Sequence, residues 1–331
     1  MDDRLPEPLT LTLDELDWAA AVVARHVPPT PQYSWPLLAE VAGSRVTVKH
    51  ENHTPVGAFK VRGGLVYFER LAADRPQVRG VVSATRGNHG QSLAFAGGLH
   101  DRSVTIFVPH GNSVEKNAAM RGLGAEVIEF GHDFQEARDA SVEYADTHGL
   151  EPVPPFHRDL VLGVATYARE LFEGTDPLDT VYVPVGMGSG INAIIAVRDL
   201  LGLDTEVVGV VAEGAPATKL TFDAGVVVTT ESAATFVDGV ATRSPDPAAM
   251  AGVLTGAARI LTVSDDAVAE AMRTVYRTTH NVAESAGAIA LAGLLSEAVE
   301  QRGAHSAFVL CGGNVDADQL RDVLAGATPA S

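Results

Sequence analysis

Short β-branched runs alternate with amphipathic helical patterns over most of this chain, and this alternation restricts the fold more than any other feature. The predicted strands are Arg45–Lys49, Gly80–Ser83, Val104–Val108, Glu126–Glu129, Thr180–Val185, Glu206–Val211 and Ala307–Leu310. The predicted helices are Lys60–Ala72, His89–Gly98, Ser113–Gly122, Phe134–His148, Gly163–Glu173, Gly190–Leu201 and Asp265–Thr279. Because apolar strands separated by helices form parallel sheets that helices cover on both faces, the sequence predicts an α/β fold.

Two proline clusters, Pro28–Pro31 and Pro152–Pro155, mark the clearest breaks in this alternation. A chain of 331 residues usually forms about two domains. We therefore expect a small α/β domain over residues 56–154 and a large α/β domain formed by residues 1–55 and 155–331.

Composition excludes several classes of partner. The chain carries 42 acidic and 24 basic residues, so its formal net charge is −18, and such a surface repels the phosphates of nucleic acids. No apolar stretch approaches the ~20 residues that a membrane helix needs, and Met1-Asp2-Asp3-Arg4 does not resemble a secretory signal. The single cysteine, Cys311, excludes an intrachain disulfide. These features predict a cytoplasmic protein without nucleic-acid or membrane partners.

Three polar or glycine-rich turns follow predicted strands: Ser83–His89, Gly186–Gly190 and Cys311–Asn314. Ligands bind beyond the carboxyl ends of parallel strands, so these turns predict one ligand cleft. The Gly186–Gly190 turn opens a helix and suits a phosphate. A dinucleotide site, with Glu213 near the ribose, or a tight turn without ligand explains it equally well, although its third glycine comes one position early for G-x-G-x-x-G.

Lysine is scarce: Lys49, Lys60, Lys116 and Lys219 are the only ones among the 24 basic residues. Lys49 and Lys116 are interpreted as solvated surface residues. Lys60 enters a helix between apolar neighbours, and such surroundings predict a depressed pKa, which would let the amine form a Schiff base. Taken alone, Lys60 is interpreted as a lysine that snorkels from the first helical turn.

The segment Lys49-His-Glu-Asn-His-Thr-Pro-Val-Gly-Ala-Phe-Lys60-Val-Arg-Gly-Gly64 resembles the lysine motif of fold-type II pyridoxal-phosphate enzymes, with threonine dehydratases and serine racemases as the nearest members. The resemblance continues in order through Ser83–Gln91, Gly186–Gly190, Asp238–Ala241, Glu284–Gly287 and Cys311–Asn314. It implies a two-domain fold similar to that of the tryptophan synthase β subunit, with twisted parallel sheets flanked by helices. It also implies a pyridoxal 5′-phosphate cofactor in the cleft between the domains and, by analogy, a homodimer.

The resemblance assigns cofactor contacts to individual positions. Lys60 would hold the cofactor aldehyde covalently, and Asn88 would donate to the cofactor 3′ oxygen; the alternative for Asn88 is a helix cap. The backbone of Gly186–Gly190 would bind the phosphate, and Cys311 would face the pyridine nitrogen as a neutral thiol. The implied cofactor-binding residues are Phe59, Lys60, Asn88, Gly186, Met187, Gly188, Ser189, Gly190 and Cys311.

The reaction that the resemblance implies is β-elimination from a hydroxy amino acid. Lys60 would remove the α proton, and the β-hydroxyl would leave as water, protonated by the cofactor phosphate or by Lys60. L-Threonine would give 2-oxobutanoate and ammonia, with serine as a second substrate. The implied substrate-binding residues are Ser83, Thr85, Arg86, Asn88, His89 and Gly239.

Arg86 departs from the family pattern, because serine racemases carry a second serine at this position. A permanently charged guanidinium is a poor proton shuttle, so racemisation is not expected as the main activity. Arg86 either pairs with a carboxylate of the substrate or faces solvent, and the first option raises 3-hydroxyaspartate as an alternative substrate. Outside this family, the alternative is a dinucleotide-binding oxidoreductase built on Gly186–Gly190.

A metal site is not expected. Some relatives bind a divalent cation at positions that correspond here to Glu213, Ala217 and Lys219. A protonated lysine cannot ligate magnesium. We hypothesise that the Lys219 ammonium pairs with Glu213; the alternative is a lysine that faces solvent.

Overall fold

The computed structural model describes residues 5–330, which contain two separate sheets. The strands are β1 (Gln32–Ser34), β2 (Arg45–His50), β3 (Gly80–Ala84), β4 (Ser103–Val108), β5 (Glu126–Glu129), β6 (Glu151–Pro152), β7 (Thr180–Pro184), β8 (Glu206–Ala212), β9 (Arg259–Val263) and β10 (His305–Leu310). One sheet has the order β1-β2-β10-β7-β8-β9 and the other β5-β4-β3-β6. Every neighbouring pair runs parallel except β1 and β2, which confirms the predicted parallel α/β class.

Helices follow most of the strands. They are α1 (Leu13–Ala24), α2 (Pro36–Ala42), α3 (Lys60–Asp74), α4 (Asn88–Leu99), α5 (Val114–Gly122), α6 (Phe134–His148), α7 (Arg158–Glu173), α8 (Ser189–Leu200), α9 (Ala217–Ala224), α10 (Pro247–Gly256), α11 (Asp265–Thr279), α12 (Ser285–Ser296), α13 (Val299–Arg302) and α14 (Ala317–Leu324). All seven predicted strands and all seven predicted helices are present, and the largest difference in bounds is at α7, which begins at Arg158 rather than at Gly163. Within residues 5–330, none of the helices is both long enough and apolar enough to cross a bilayer.

The two sheets fall on either side of the predicted breaks. The four-stranded sheet uses residues between 80 and 152, and the six-stranded sheet uses residues on both sides of that block. This arrangement agrees with the predicted small domain, but the domain bounds at 56 and 154 stay a prediction, and residues 1–4 and 331 lie outside the described residues.

Packing brings the carboxyl ends of three strands to one place. The main core continues from α3 and α4 through α7 and α8 to the strands of the larger sheet, and a smaller apolar cluster lies between α6 and the outer face of β3 and β4. The turns that follow β3, β7 and β10 therefore meet at a common cleft.

Candidate active site

A cleft of about 350 Å³ lies where these turns converge. Elements that pack against both sheets contribute its walls, including the N-terminus of α3, the turn before α4, the start of α6 and the segment around Asp238. The predicted site residues that line it are Phe59, Lys60, Thr85, Arg86, Asn88, His89, Met187, Gly239 and Cys311. Motifs spread over most of the chain are thus brought together, as expected for one cleft.

The remaining predicted residues lie behind this wall. The hydroxyl of Ser189 accepts a hydrogen bond from Lys60 Nζ at 3.1 Å, and Gly186 packs against the carbonyl oxygen of Gly239. Gly188 and Gly190 belong to the same turn at the start of α8. The prediction that Ser83 binds the substrate does not agree with the structure. Its hydroxyl donates to the carbonyl oxygen of Val153 at 2.7 Å, away from the cleft, because the side chains of β3 alternate between the two faces of the sheet.

Lys60 is the first residue of α3, and its amine faces the cleft rather than bulk solvent. Its Nζ lies 4.8 Å from the centre of the Phe59 ring, and it forms no ion pair with any carboxylate in residues 5–330. Burial lowers the pKa of Lys60 to about 8, while the neighbouring Cys311 and Glu284 oppose the shift. The interpretation of Lys60 as a snorkelling surface lysine is therefore wrong, and the depressed pKa predicted from its neighbours is found.

Lys49 and Lys116, both interpreted from sequence as surface residues, are buried. Lys116 lies beside the cleft, with its Nζ 2.6 Å from Asp238 and 3.0 Å from Glu284. Burial opposes its charge, but the two carboxylates outweigh burial and raise the pKa of Lys116. Lys49 Nζ lies 2.6 Å from a carboxylate oxygen of Glu170. The interpretation of Lys49 and Lys116 as surface residues was wrong because their carboxylate partners are distant in sequence. For Lys116, the acidic residues of the Asp238 and Glu284 motifs were the only indication of such partners that the sequence offered.

Both the nitrogen and the oxygen of the Asn88 side-chain amide form hydrogen bonds. Its Nδ2 donates to Glu284 Oε1 at 2.5 Å, and its Oδ1 accepts from Asn314 Nδ2 at 2.9 Å. Gly87 occupies the cap position of α4 and makes no side-chain cap bond, so the helix-cap interpretation of Asn88 is wrong. Two hydrogen bonds fix the orientation of this amide, and its second N–H is left available.

Cys311 and His89 are both neutral side chains in the wall of the cleft. Burial raises the pKa of the Cys311 thiol well above its usual value, and the thiol donates to the carbonyl oxygen of Ala286 at 3.3 Å. Burial, with a smaller contribution from Lys60, lowers the pKa of His89 to about 3. Its Nε2 is enclosed and has no hydrogen-bond partner among the described residues. An enclosed imidazole nitrogen without a partner suits a ligand atom.

Three arginines line the cleft, and two of them have no acidic partner among residues 5–330. Arg243 pairs with Asp133 at 3.5 Å. Arg86 and Arg138 form no ion pair within residues 5–330, although the chain has nearly twice as many acids as bases. The Nε of Arg86 is enclosed and unpartnered. Arg86 is thus half-buried, and both sequence-based options for its guanidinium, a substrate carboxylate or solvent, stay predictions. The acidic side chain of Glu231 lines the same cleft.

The hypothesised pair between Lys219 and Glu213 is wrong. Lys219 instead pairs along its own helix with Asp223, at 2.6 and 2.5 Å to the two carboxylate oxygens, since residues four apart face each other on a helix. Among the residues that the structure describes, no group of three or more His, Cys, Asp or Glu side chains is arranged to hold a metal ion.

Comparison with known proteins agrees with the family resemblance of the sequence motifs and extends it over most of the chain. The sequence profile of a family described as "Pyridoxal-phosphate dependent enzyme" matches residues 23–312. The biosynthetic L-threonine dehydratase of Salmonella typhimurium is 32% identical over 96% of this chain and 63% of its own length, so this chain spans less than two thirds of that relative. The L-threo-3-hydroxyaspartate ammonia-lyase of Saccharomyces cerevisiae is 29% identical over 95% of this chain and 96% of its own length. The structure of the processed threonine deaminase isoform 2 from Solanum lycopersicum superposes with a TM-score of 0.86 at 27% identity, covering 97% of this chain and 91% of that one.

Proposed function

The chain belongs to the family of pyridoxal-phosphate-dependent enzymes, and we propose that it is an ammonia-lyase that removes water and then ammonia from a hydroxy amino acid. L-Threonine, giving 2-oxobutanoate, is the first proposed substrate and serine the second. One observation carries the proposal: Lys60 faces the cleft without a carboxylate partner in the described residues, and burial lowers the pKa of its amine to about 8. Family membership decides against the dinucleotide alternative for Gly186–Gly190.

The residues of the cleft fit pyridoxal 5′-phosphate. A lysine amine that is partly neutral near pH 8 suits attachment of an aldehyde. The N-terminus of α8 and the Gly186–Gly190 backbone present free N–H groups that suit the phosphate, with the buried Ser189 hydroxyl beside them. The neutral thiol of Cys311 suits an unprotonated ring nitrogen, and the free N–H of Asn88 suits the 3′ oxygen. These assignments remain part of the proposal.

The protein's own groups supply positioning and proton transfer. When bound, pyridoxal phosphate stabilises negative charge at the substrate α-carbon. The Lys60 amine takes the α proton, which its lowered pKa allows near neutral pH. The turn Thr85–His89 binds the α-carboxylate through backbone N–H groups and the unpartnered side of His89, and Gly239 contributes backbone near the amine. The β-hydroxyl would then take the proton held by the Lys60 amine and leave as water, and hydrolysis of the product would yield the 2-oxo acid and ammonia.

A second candidate substrate is 3-hydroxyaspartate, which carries an additional carboxylate. Arg86 and Arg138 favour it, because both line the cleft and neither pairs with a described carboxylate. Guanidinium groups bind carboxylates with directional, charge-assisted hydrogen bonds. The yeast relative named L-threo-3-hydroxyaspartate ammonia-lyase, which matches this chain over nearly its full length, also supports this candidate.

The attachment point is tested by borohydride reduction of the yellow protein, followed by peptide mass mapping. We expect one reduced adduct on the peptide that contains Lys60, and none in Lys60→Ala. That variant should lose elimination by about 10³-fold or more, the upper part of the range for a positioned acid–base group. A colourless active preparation, or an adduct on another lysine, overturns the proposal.

Substrate choice is tested by a panel of threonine, serine and 3-hydroxyaspartate with detection of 2-oxo acids. If Arg86 binds a second carboxylate, Arg86→Ala lowers kcat/KM for 3-hydroxyaspartate by roughly 10- to 150-fold, the worth of one charge-assisted hydrogen bond. Its kcat/KM for threonine should change little. An equal effect on every substrate removes the argument for 3-hydroxyaspartate.

A homodimer, a cytoplasmic location and the absence of nucleic-acid and membrane partners complete the proposal. The family resemblance supports the dimer, and the net charge of −18 supports the absence of nucleic acid. Light scattering on the purified protein measures the mass in solution, and a monomeric mass contradicts the dimer.

A further inference from the structure

Four charged side chains form a closed cluster directly behind the first turn of α3. They are Lys49 at the end of β2, Glu51 just after it, Arg62 in α3 and Glu170 in α7. The side chains of Arg62 and Glu51 are fully buried, and Lys49 is nearly so. We call these residues the buried quartet; the proposed reaction uses none of them.

Arg62 binds both acids of the quartet through paired hydrogen bonds. Its Nε and Nη2 donate to Glu51 at 2.8 and 3.0 Å, and its Nη1 and Nη2 donate to Glu170 at 2.7 and 2.9 Å. Lys49 donates to Glu170 at 2.6 Å. Two positive and two negative charges thus balance, with hydroxyls as additional partners: Thr30 donates to Glu51 at 2.6 Å and Thr166 accepts from Arg62 at 3.0 Å.

The quartet lies on the opposite side of the helix from the cleft. Residues two apart on an α-helix point in nearly opposite directions, so Arg62 points away from the cleft while Lys60 points into it. The backbone is fixed at the same place, because Gly163 of α7 packs so closely on the Arg62 carbonyl that a Cβ at Gly163 would collide with it. Side-chain and backbone contacts together join the first turn of α3 to α7.

Stability alone does not account for such a cluster. Burying charges costs several kcal/mol each, and apolar side chains of similar volume often stabilise a core as well or better. What paired guanidinium bonds add is a fixed orientation, which a lysine or an apolar side chain would not give. The orientation that the quartet fixes is that of the helical turn bearing Lys60.

We propose that the buried quartet is a positioning device for Lys60, in which Arg62 anchors the first turn of α3 so that the amine stays in the desolvated cleft. The inference rests on the proposed function, because it gives Lys60 the role of holding the cofactor and moving the α proton. Arg62 does not line the cleft, so its proposed role is that of a positioning residue.

The test compares Arg62→Lys with Arg259→Lys. Arg62→Lys keeps the charge and removes the paired geometry. Arg259 makes the same kind of paired contact with Glu297, at 2.6 and 2.8 Å, but lies on β9 and does not line the cleft. The first measurement is the pH profile of Lys60 acylation in the cofactor-free full chain, followed by peptide mass spectrometry. The second is kcat and KM of the holoenzyme.

For Arg62→Lys we expect the midpoint of Lys60 acylation to rise by about one pH unit or more, toward the value of a solvated lysine. We expect kcat to fall by about tenfold or more with KM changed less than about threefold, since a misplaced proton acceptor affects the chemical step more than binding. Arg259→Lys should leave both quantities close to wild type while lowering the thermal midpoint.

Equal Lys60 profiles and equal kcat in the two variants, at matched folded fractions, overturn the proposal. If Arg62→Lys does not fold, Thr166→Val decides instead: it removes one hydrogen bond from Arg62 without changing charge, and the same shifts in smaller size are expected, or the proposal fails. If the wild type eliminates water from none of the hydroxy amino acids, the proposed function fails, whereas the acylation profile still decides the role of the quartet.

Discussion

At the scale of single residues, the two lysines that line the cleft differ through their partners. Lys116 lies between two carboxylates and keeps its charge, because these outweigh its burial. Lys60 pairs with no described carboxylate, and Cys311 and Glu284 only partly oppose its desolvation, so its pKa falls to about 8. The arrangement of the neighbouring acids therefore leaves Lys60, rather than Lys116, with the lowered pKa that the proposed nucleophile needs.

Covalent binding of pyridoxal phosphate to the cofactor-free chain should therefore depend on pH. Only the neutral amine attacks an aldehyde, so the rate should rise roughly tenfold per pH unit below the Lys60 pKa and level off above about 8. Stopped-flow visible absorbance between pH 6 and 10 measures this, with Lys60→Ala as the blank. A midpoint near that of a free lysine would contradict the burial of Lys60.

Removal of divalent metal should leave the elimination rate unchanged. Lys219 stands where some relatives place a metal-binding acid, and its ammonium pairs with Asp223. We expect the same kcat before and after dialysis against a chelator, and no gain when magnesium is returned. A strict magnesium requirement would show that the cation binds elsewhere.

Sequence could predict that Lys60 and eight other candidate residues line one cleft, because they lie in short motifs whose spacing is visible. It did not predict the cleft walls contributed by residues 133–138, 231–233 and 242–244, which belong to none of those motifs. It could not predict the surroundings of Lys49 and Lys116, whose carboxylate partners stand 121 and 122 residues away. The polar residues next to Lys49 and Lys116 in sequence indicated that both side chains are exposed to solvent. In the folded chain, however, tertiary packing places both beside carboxylates in the interior. For the same reason the motif quoted around Lys60 gave no role to Arg62, whose partner Glu170 lies on another helix.

At the scale of elements, most of the strands and helices that alternate between residues 45 and 310 could be predicted. The missed strands β1 and β6 are short, and β9 lies at an edge of the larger sheet. Seven helices were not predicted: α1, α2, α9, α10, α12, α13 and α14. Of these, α12 is buried nearly all round, so its residues lack the polar face that marks an amphipathic helix. Helices α1 and α14 have a polar face but lie before the first and after the last predicted strand. Elements with neither alternation nor a polar stripe carry too little signal in one sequence.

The turn between β7 and α8 gives a prediction at this scale. A Cβ at Gly186 would collide with the carbonyl oxygen of Gly239, so Gly186→Ala must push apart two backbone segments beside the cleft. We expect the variant to retain pyridoxal phosphate about tenfold less tightly or worse, corresponding to about 1.4 kcal/mol. Equilibrium dialysis followed by visible absorbance measures the loss.

Gly98→Ala is the matched control for this substitution. Gly98 lies in helix α4 with no atom within 4 Å of an added Cβ, so alanine there should stabilise the fold by roughly 0.5–1 kcal/mol. Its cofactor affinity should match wild type. If both variants retain the cofactor equally, the approach of Gly186 to Gly239 has no bearing on the site.

At the scale of the whole molecule, polar contacts join the elements on the two sides of the cleft, which pack on different sheets. Lys116 on α5 bonds to Asp238 and Glu284, and Asn88 at the start of α4 bonds to Asn314 after β10. Asn88, which we propose binds the cofactor, belongs to the same set of contacts because its amide also donates to Glu284. Charge pairs and amide hydrogen bonds between residues distant in sequence therefore span the cleft.

Lys116→Met tests whether the pairs that Lys116 forms with Asp238 and Glu284 stabilise the fold. It leaves two acids beside the cleft without their cation, and breaking a buried pair typically costs about 3–5 kcal/mol. The cost should depend on pH: burial already raises the pKa of Glu284, and loss of Lys116 raises it further. A carboxyl whose folded pKa lies above its unfolded value of 4.5 contributes stability at low pH that is lost as pH rises through the folded pKa. The variant should thus be destabilised less at pH 5 than at pH 8.

Urea unfolding at the two pH values measures the difference, with Lys219→Met as the control. Lys219 forms a half-exposed pair with Asp223 along one helix, and loss of such a pair costs at most about 1 kcal/mol. Adding Glu284→Gln to Lys116→Met should restore part of the lost stability at pH 8, because the double variant no longer buries that uncompensated charge. A Lys116→Met variant that behaves like Lys219→Met at both pH values would mean that the two sides of the cleft are held by apolar packing, with the Lys116 pairs contributing nothing.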